Sequence, residues 1–203
     1  MKIVIATKND GKISEIKDFF KAKGLLDLIE ILIYKDFSDF PDVKEGSRSF
    51  LSNAKIKARQ IAKYCGCWAL ADDSGLAVDA LGGRPGVISS VYAGTDASDA
   101  DNREKLLKEL EGIRSFEKRT ARFICRMVLW DDKIGQVNLS TGICRGKIGF
   151  KEKGTGGFGY DPLFIPEGYN LTMAQISQPE KNSISHRGKA LKKMSGFLAK
   201  QLY

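Results

Sequence analysis

Asp72 and Asp73, side by side after the apolar run Trp68-Ala69-Leu70-Ala71, are the residues whose types and spacing most directly permit hydrolytic chemistry. Two carboxylates at the end of an apolar strand repel each other and lose hydration unless a cation or hydrogen-bond donors balance them. Successive strand residues point to opposite faces. Unless the strand has already ended, one aspartate therefore looks into a given cleft, and the other orients backbone or a basic residue. Mg²⁺ takes a few carboxylates and completes its shell with water and substrate phosphates. Glu45, ahead of the second helix, is a candidate second ligand. The structural alternative is a helix cap or an Asx-turn cluster.

The second constellation is Gly154-Thr155-Gly156-Gly157-Phe158-Gly159-Tyr160-Asp161-Pro162, followed by Glu180-Lys181-Asn182 and Ser185-His186-Arg187. Glycines let backbone amides approach an anion closely, the aromatics offer a ring face to a base, and Lys181, His186 and Arg187 supply donors and positive charge. Together they read as a nucleotide site; the alternative is a glycine-rich turn before an ordinary helix start. Ser185 suits an N-cap, which places His186 and Arg187 in the first turn of the last helix. His186, the only histidine, is read as a hydrogen-bond donor rather than a base. Arg187 suits fork-like recognition of an oxygen-rich edge.

The third is the loop Thr7-Lys8-Asn9-Asp10-Gly11-Lys12. A strand running into a loop and then a helix presents unpaired N–H groups at the sheet's edge, where an anion is welcome. Lys12 can reach a phosphate, and Thr7 and Asn9 can hold the loop or bond an oxygen. It is not a Walker A loop, because position 6 is alanine and Ile13 stands where Ser or Thr would follow the Gly-Lys pair. A plain capping loop is the alternative.

Hydrophobic periodicity supplies the elements that must position these residues. Ile3-Val4-Ile5-Ala6 predicts a strand, and Ile13, Ile16 and Phe20 a helix after it. Leu51, Ala54, Ala58, Ile61, Ala62 and Cys65 predict a second helix, which leads into a short strand at 68–71 that the Asp-Asp-Ser-Gly tetrad ends. A helix over 99–111, alternating strands over 121–129 and 137–143 joined by a hairpin-like link, and an amphipathic helix over 185–202 complete the pattern. The order is mixed α/β, parallel near the N-terminus and antiparallel in the middle, in one structural unit.

Composition narrows the function classes. Hydrophobic content of 42% and charged content of 29% fit a globular enzyme. No apolar run approaches the ~18–20 residues that span a bilayer, which argues against a membrane protein. Residues 1–6 read as a strand rather than a signal core, so a cytoplasmic location is expected. The net charge of +8 fits an anionic partner. No basic block interleaved with aromatics points to a nucleic-acid track. Cys65, Cys67, Cys125 and Cys144 lack zinc-site spacing and read as small buried hydrophobes.

These segments, in this order and nearly end to end, resemble the inosine/xanthosine triphosphate pyrophosphatase family. The match comprises residues 7–12 with Glu15, Phe50 with Asn53-Ala54 and Lys57-Ala58, and Ala71 through Gly86 with Tyr92-Ala93-Gly94. It continues with 157–162, Glu180-Lys181-Asn182, Ser185-His186-Arg187 and Ala190-Leu191. The resemblance implies hydrolysis of ITP, dITP or XTP between the α and β phosphates, a Mg²⁺ cofactor and a homodimer. It also implies a long mixed sheet with flanking helices, in two lobes around a central cleft. By position, Asp73 is expected as proton acceptor and metal ligand, and Glu45 as metal ligand. Ser74 and Thr7, Lys8, Asn9, Asp10, Gly11 and Lys12 are expected as substrate contacts, and Phe158, Gly159, Tyr160, Asp161, Lys181, His186 and Arg187 as the holders of base, sugar and phosphates. The chain departs from the family at Lys8, usually glycine or serine, at Gln175, usually glutamate, and at Lys151-Glu152-Lys153, commonly Pro-Arg-Gly. Two other readings are a pyrophosphatase for modified pyrimidine or guanine nucleotides and a non-catalytic basic module that binds nucleotide or RNA.

Overall fold

The computed structural model describes residues 1–46 and 49–202. Its strands are β1 (Lys2–Ile5), β2 (Glu30–Leu32), β3 (Trp68–Val78), β4 (Thr120–Asp131), β5 (Gly135–Ile148) and β6 (Phe164–Pro166). Its α-helices are α1 (Asp10–Ala22), α2 (Phe50–Cys65), α3 (Asp99–Glu109), α4 (Gln178–Ile184) and α5 (His186–Leu202). The strands form one sheet in the order β2-β1-β3-β4-β5-β6. β1 pairs in parallel with β2 and β3, and β5 pairs antiparallel with β6, so the sheet is mixed as expected.

The chain divides into two compact units. The first comprises Met1–Asp73, Cys125–Gly142 and Arg187–Tyr203. Its β1 is apolar on both faces, the pattern of a strand covered on each side. Ile3 and Ile5 pack with Ile16 and Phe20 of α1, with Cys125 and Met127, and with Leu191, Met194 and Leu198 of α5. Val4 and Ala6 face the other way, onto Ala54, Ala58 and Ile61 of α2 and Val128. Helix boundaries follow capping chemistry: Asn9 accepts from the Lys12 N–H at the start of α1, and Ser49 accepts from the Ser52 N–H at the start of α2. Gly66 ends α2 in the left-handed region, φ 63°.

The second unit comprises Ser74–Ile124 and Ile143–His186. Leu76, Val78, Leu106, Leu110, Phe123, Tyr160 and Phe164 form its core. Arg119 is buried within it, and its guanidinium donates to the carbonyls of Ile148 (2.9 Å), Leu110 (2.9 Å), Ile113 (3.2 Å) and Gly149 (3.0 Å). Burial lowers its pKa from the usual arginine range, and the Phe150 ring lies over it.

The main revision to the sequence reading is β3, which does not end at Ala71 but runs through Asp72-Asp73-Ser74-Gly75 to Val78. Turn-forming residue types lost here to tertiary partners, described below. β2, β6 and α4 carry too few residues for periodicity to show. Cys125 and Cys144 are buried and Cys65 and Cys67 half-buried, all as free thiols. Among the described residues no helix is long and apolar enough to cross a membrane.

Candidate active site

The two adjacent aspartates of β3 are served by different partners, as alternation along a strand requires. Asp72 is buried and sits 3.1 Å from the Lys12 Nζ. The Arg187 Nε and Nη2 donate to the same Asp72 oxygen at 3.3 and 3.2 Å, while its Nη1 donates to Glu15. Burial alone would lower the pKa of Arg187, but the charges of Asp72 and Glu15 hold it above its ordinary range. Lys12 and Arg187, both expected at the ligand, are thus engaged with Asp72.

Asp73 has a second set of partners. The Lys57 Nζ donates to its Oδ1 at 3.1 Å, and the Asn53 Nδ2 donates to its Oδ2 at 3.0 Å. The same Lys57 ammonium lies 3.2 Å from Glu45 Oε1. Asn53 accepts the Gly46 N–H at 3.1 Å, so one amide ties the backbone beside Glu45 to Asp73. Burial pushes the Asp73 carboxyl up to about 6, against the pull of Lys57 and Lys12. Burial would lower the Lys57 ammonium, yet Asp73, Asp72 and Glu45 together hold it above its ordinary value. Ser74, the next residue on β3, is half-buried.

Whether a hard cation fits here is decided by the ammonium itself. Lys57 occupies a point on which Asp73 and Glu45 both converge, and their oxygens are the donors Mg²⁺ takes. Among the described residues no third His, Cys, Asp or Glu joins them. Two carboxylates, with water and substrate phosphates completing the shell, is a usual Mg²⁺ arrangement.

The loop before α1 is internally braced. Thr7 Oγ1 accepts the Asn9 N–H, and Asn9 spends its oxygen on the helix cap, so this loop is a capping loop as well as a phosphate candidate. Lys8 pairs with Asp42 at 2.5 Å, and Asp10 with Lys35 at 3.2 Å. Gly11 lies half-buried in the first turn of α1. Thr7, Lys8, Asp42, Glu45 and Lys57 line a cavity of about 160 Å³. A larger cavity in the second unit, about 390 Å³, holds none of the residues singled out; its Arg122 and Lys147 pair with Asp79 and Glu117.

The glycine–aromatic segment lies in the second unit. Asp161 is buried there, its Oδ2 accepting from the Lys181 Nζ at 2.6 Å and the Phe158 N–H at 3.0 Å. Gly157 is required: at φ 73° a Cβ would lie 2.1 Å from that oxygen. Phe158 is half-exposed, with the Lys181 ammonium 5.0 Å from its ring centre. Tyr160 is buried, its hydroxyl donating to the Ser89 carbonyl at 2.8 Å, so Phe158 rather than Tyr160 keeps an accessible ring. His186 is buried too, stacked on Phe123 with centroids 4.7 Å apart. Gln175 accepts the Thr172 N–H and thereby braces a turn.

Asn53, Lys57 and Glu15 are the residues to which sequence reasoning gave no site role. A signal existed. Asn53 and Lys57 are four apart, on the stripe that carries Ala54, Ala58 and Ile61, and Glu15 lies between Ile13 and Ile16. Polar side chains inside an apolar helical face are buried for a reason.

Comparison with known proteins gives the family of the whole chain. The family model described as "Ham1 family" matches residues 3–197. A dITP/XTP pyrophosphatase of Geobacillus kaustophilus is 47% identical over 194 residues, covering 95% of this chain and 92% of that protein. A dITP/XTP pyrophosphatase of Bacillus licheniformis is 45% identical, covering 97% of both chains. The solved HAM1 protein of Coxiella burnetii superposes with a TM-score of 0.86 at 39% identity, covering 98% of this chain and 99% of that one. A match of this length and identity, over every segment that carries the buried carboxylates and the glycine–aromatic loop, establishes that the chain belongs to the Ham1 family.

Proposed function

We propose that this protein hydrolyses ITP, dITP and XTP to the monophosphate and pyrophosphate, with Mg²⁺ as cofactor, as a cytoplasmic homodimer that clears these nucleotides from the pool. The observation that carries the reading is the convergence of Asp73 and Glu45 on one cationic point, now filled by the Lys57 ammonium. The dITP/XTP pyrophosphatase names of close relatives support the substrate class.

Asp73 is the proton acceptor. A carboxyl raised to about 6 is ionised at neutral pH yet more basic than an ordinary aspartate, which suits it to take a proton from the attacking water. As that water's oxygen bonds to the α-phosphorus, the bond to the bridging oxygen breaks and pyrophosphate leaves. Asp73 and Glu45 would hold Mg²⁺, which supplies charge neutralisation on the phosphates and polarises the reacting oxygens. Asn53 fixes Asp73 and the backbone beside Glu45 in register, and Lys57 keeps their charges balanced. Lys12 and the first-turn N–H groups of α1, with Thr7, Lys8, Asn9, Asp10, Gly11 and Ser74, bind the triphosphate. Arg187 holds Asp72 and Glu15 so that Lys12 is presented at a fixed height.

Base recognition falls to the glycine–aromatic loop. Phe158 stacks on the purine, Lys181 donates toward its 6-oxo edge, His186 is a neutral donor on the base side, and Gly159, Tyr160 and Asp161 set the loop. A site built from donors meets adenine's amino group donor to donor, a mismatch that rejects by about 10⁴-fold in polar sites. The deciding experiment incubates the protein with Mg²⁺ and a panel of ITP, dITP, XTP, ATP and GTP, and separates pyrophosphate from orthophosphate. Pyrophosphate from the first three is expected; orthophosphate with a diphosphate product overturns the reading.

A further inference from the structure

The glycine loop has little stiffness of its own. Gly154, Gly157 and Gly159 all sit at positive φ (79°, 73° and 60°), a conformation that glycine adopts without favouring it strongly over others. Something outside the loop must therefore fix the Phe158 ring. Two side chains from α3 meet at the next residue. Asp99 Oδ2 accepts the Gly159 N–H at 2.7 Å, and the Arg103 Nη1 donates to the Gly159 carbonyl at 2.9 Å. Asp99 and Arg103 are four apart and share a helix face. Both polar groups of one residue are thus held by one helix, each by a charged partner, the stronger kind of hydrogen bond.

The helix that carries the clamp is itself anchored. Asn102 accepts the Ala93 N–H at 2.8 Å and donates to the Ser90 carbonyl at 3.1 Å, and Lys105 donates to the Tyr92 carbonyl at 2.7 Å. The Arg103 Nε lies 3.0 Å from Glu152, which steers the guanidinium from its other side. Tyr160, hydrogen-bonded to Ser89, fixes the far end of the same short segment.

We infer that Asp99 and Arg103 are positioning residues that set the height of the Phe158 ring, and through it the affinity for the purine base, without touching substrate. This rests on the reading of Phe158 as the ring that stacks on the base. The consequence is a split: binding of the base weakens when the clamp opens, while the phosphate chemistry at Asp73 proceeds.

The test measures kcat and KM for ITP, and separately the affinities for IMP and for pyrophosphate, on the full-length protein. Arg103→Ala and the exposed Asp99→Ala are each expected to raise KM and weaken IMP about tenfold, the loss of one charge-assisted bond. The value of kcat should stay within about threefold, and pyrophosphate affinity should not move. Arg103→Lys and Asp99→Asn, which keep a donor and an acceptor, should recover most of the loss. Arg84→Ala, which removes an ion pair to Glu109 at the other end of α3, should change neither constant. An unchanged KM and IMP affinity in both alanine variants overturns the inference. So does an equal loss of pyrophosphate affinity, or the same split in Arg84→Ala. Failure of the substrate assignment shows instead in the wild-type protein, as absence of pyrophosphate release.

Discussion

Replacing Asp73 by asparagine should change stability in a way that depends on pH and has a calculable size. Asp73 titrates near pH 6 in the folded protein against 3.8 for an ordinary aspartate. Because the folded value is the higher one, the fold prefers the neutral acid. The stability this group contributes is fully present below its unfolded pKa and is lost as pH rises through 6. The shift of about two units corresponds to ~3 kcal/mol. Between pH 4.5 and 8 roughly 2 kcal/mol of that should be realised, because the unfolded aspartate is already mostly ionised at the lower pH. Asparagine does not titrate, so the stability of Asp73→Asn relative to wild type should rise by roughly 2 kcal/mol over that interval. Urea melts of both proteins in chelator at several pH values measure it, and using the difference cancels the titrating groups that do not touch Asp73. In the wild-type protein Lys57 stays charged throughout, since Asp73, Asp72 and Glu45 hold its ammonium above its ordinary value. A relative stability that is flat with pH, or that falls as pH rises, would refute the assignment of a raised pKa to Asp73. The same variant should show no turnover of ITP.

Lys57→Met leaves Asp73 and Glu45 facing each other without a counter-charge, and should cost about 3 kcal/mol in metal-free protein near pH 8. Millimolar Mg²⁺ should restore part of this in a thermal melt; no restoration would place the cation elsewhere. Arg187→Lys cannot span Asp72 and Glu15 together, and the broken buried network should cost about 3–5 kcal/mol in urea unfolding. Gly157→Ala puts a Cβ 2.1 Å from Asp161 Oδ2 and should raise KM for ITP about tenfold or more, with wild-type KM counting against the Asp161–Lys181 pair as a support of the base loop.

The sequence carried the helices and the parallel start of the sheet because apolar spacing is a local signal, readable wherever an element buries one face. It also marked Asp72 and Asp73, since two charged residues after an apolar strand demand partners. What it could not carry was the partnership itself. Arg187 meets Asp72 across 115 residues of chain, and Lys57 meets Asp73 from a helix whose stripe otherwise reads as plain core. Without those partners, Asp-Asp-Ser-Gly has turn-forming composition, which is why the sequence alone ends β3 too early. Tyr160 shows the same blindness in reverse: an aromatic beside a glycine loop is equally suited to a ligand and to a core, and only packing separates the two.

Arg119 also bears on how the second unit opens. Its guanidinium joins the end of α3, the turn at Ile113 and the last residues of β5 through four carbonyls, and its own carbonyl accepts the Ile148 N–H. No one of these strands of chain can loosen without leaving a cation buried beside broken bonds. The connection between α3 and β4, which looks like an ordinary surface link, should therefore exchange its amide protons in step with the sheet rather than fray ahead of it, as native-state hydrogen exchange would read.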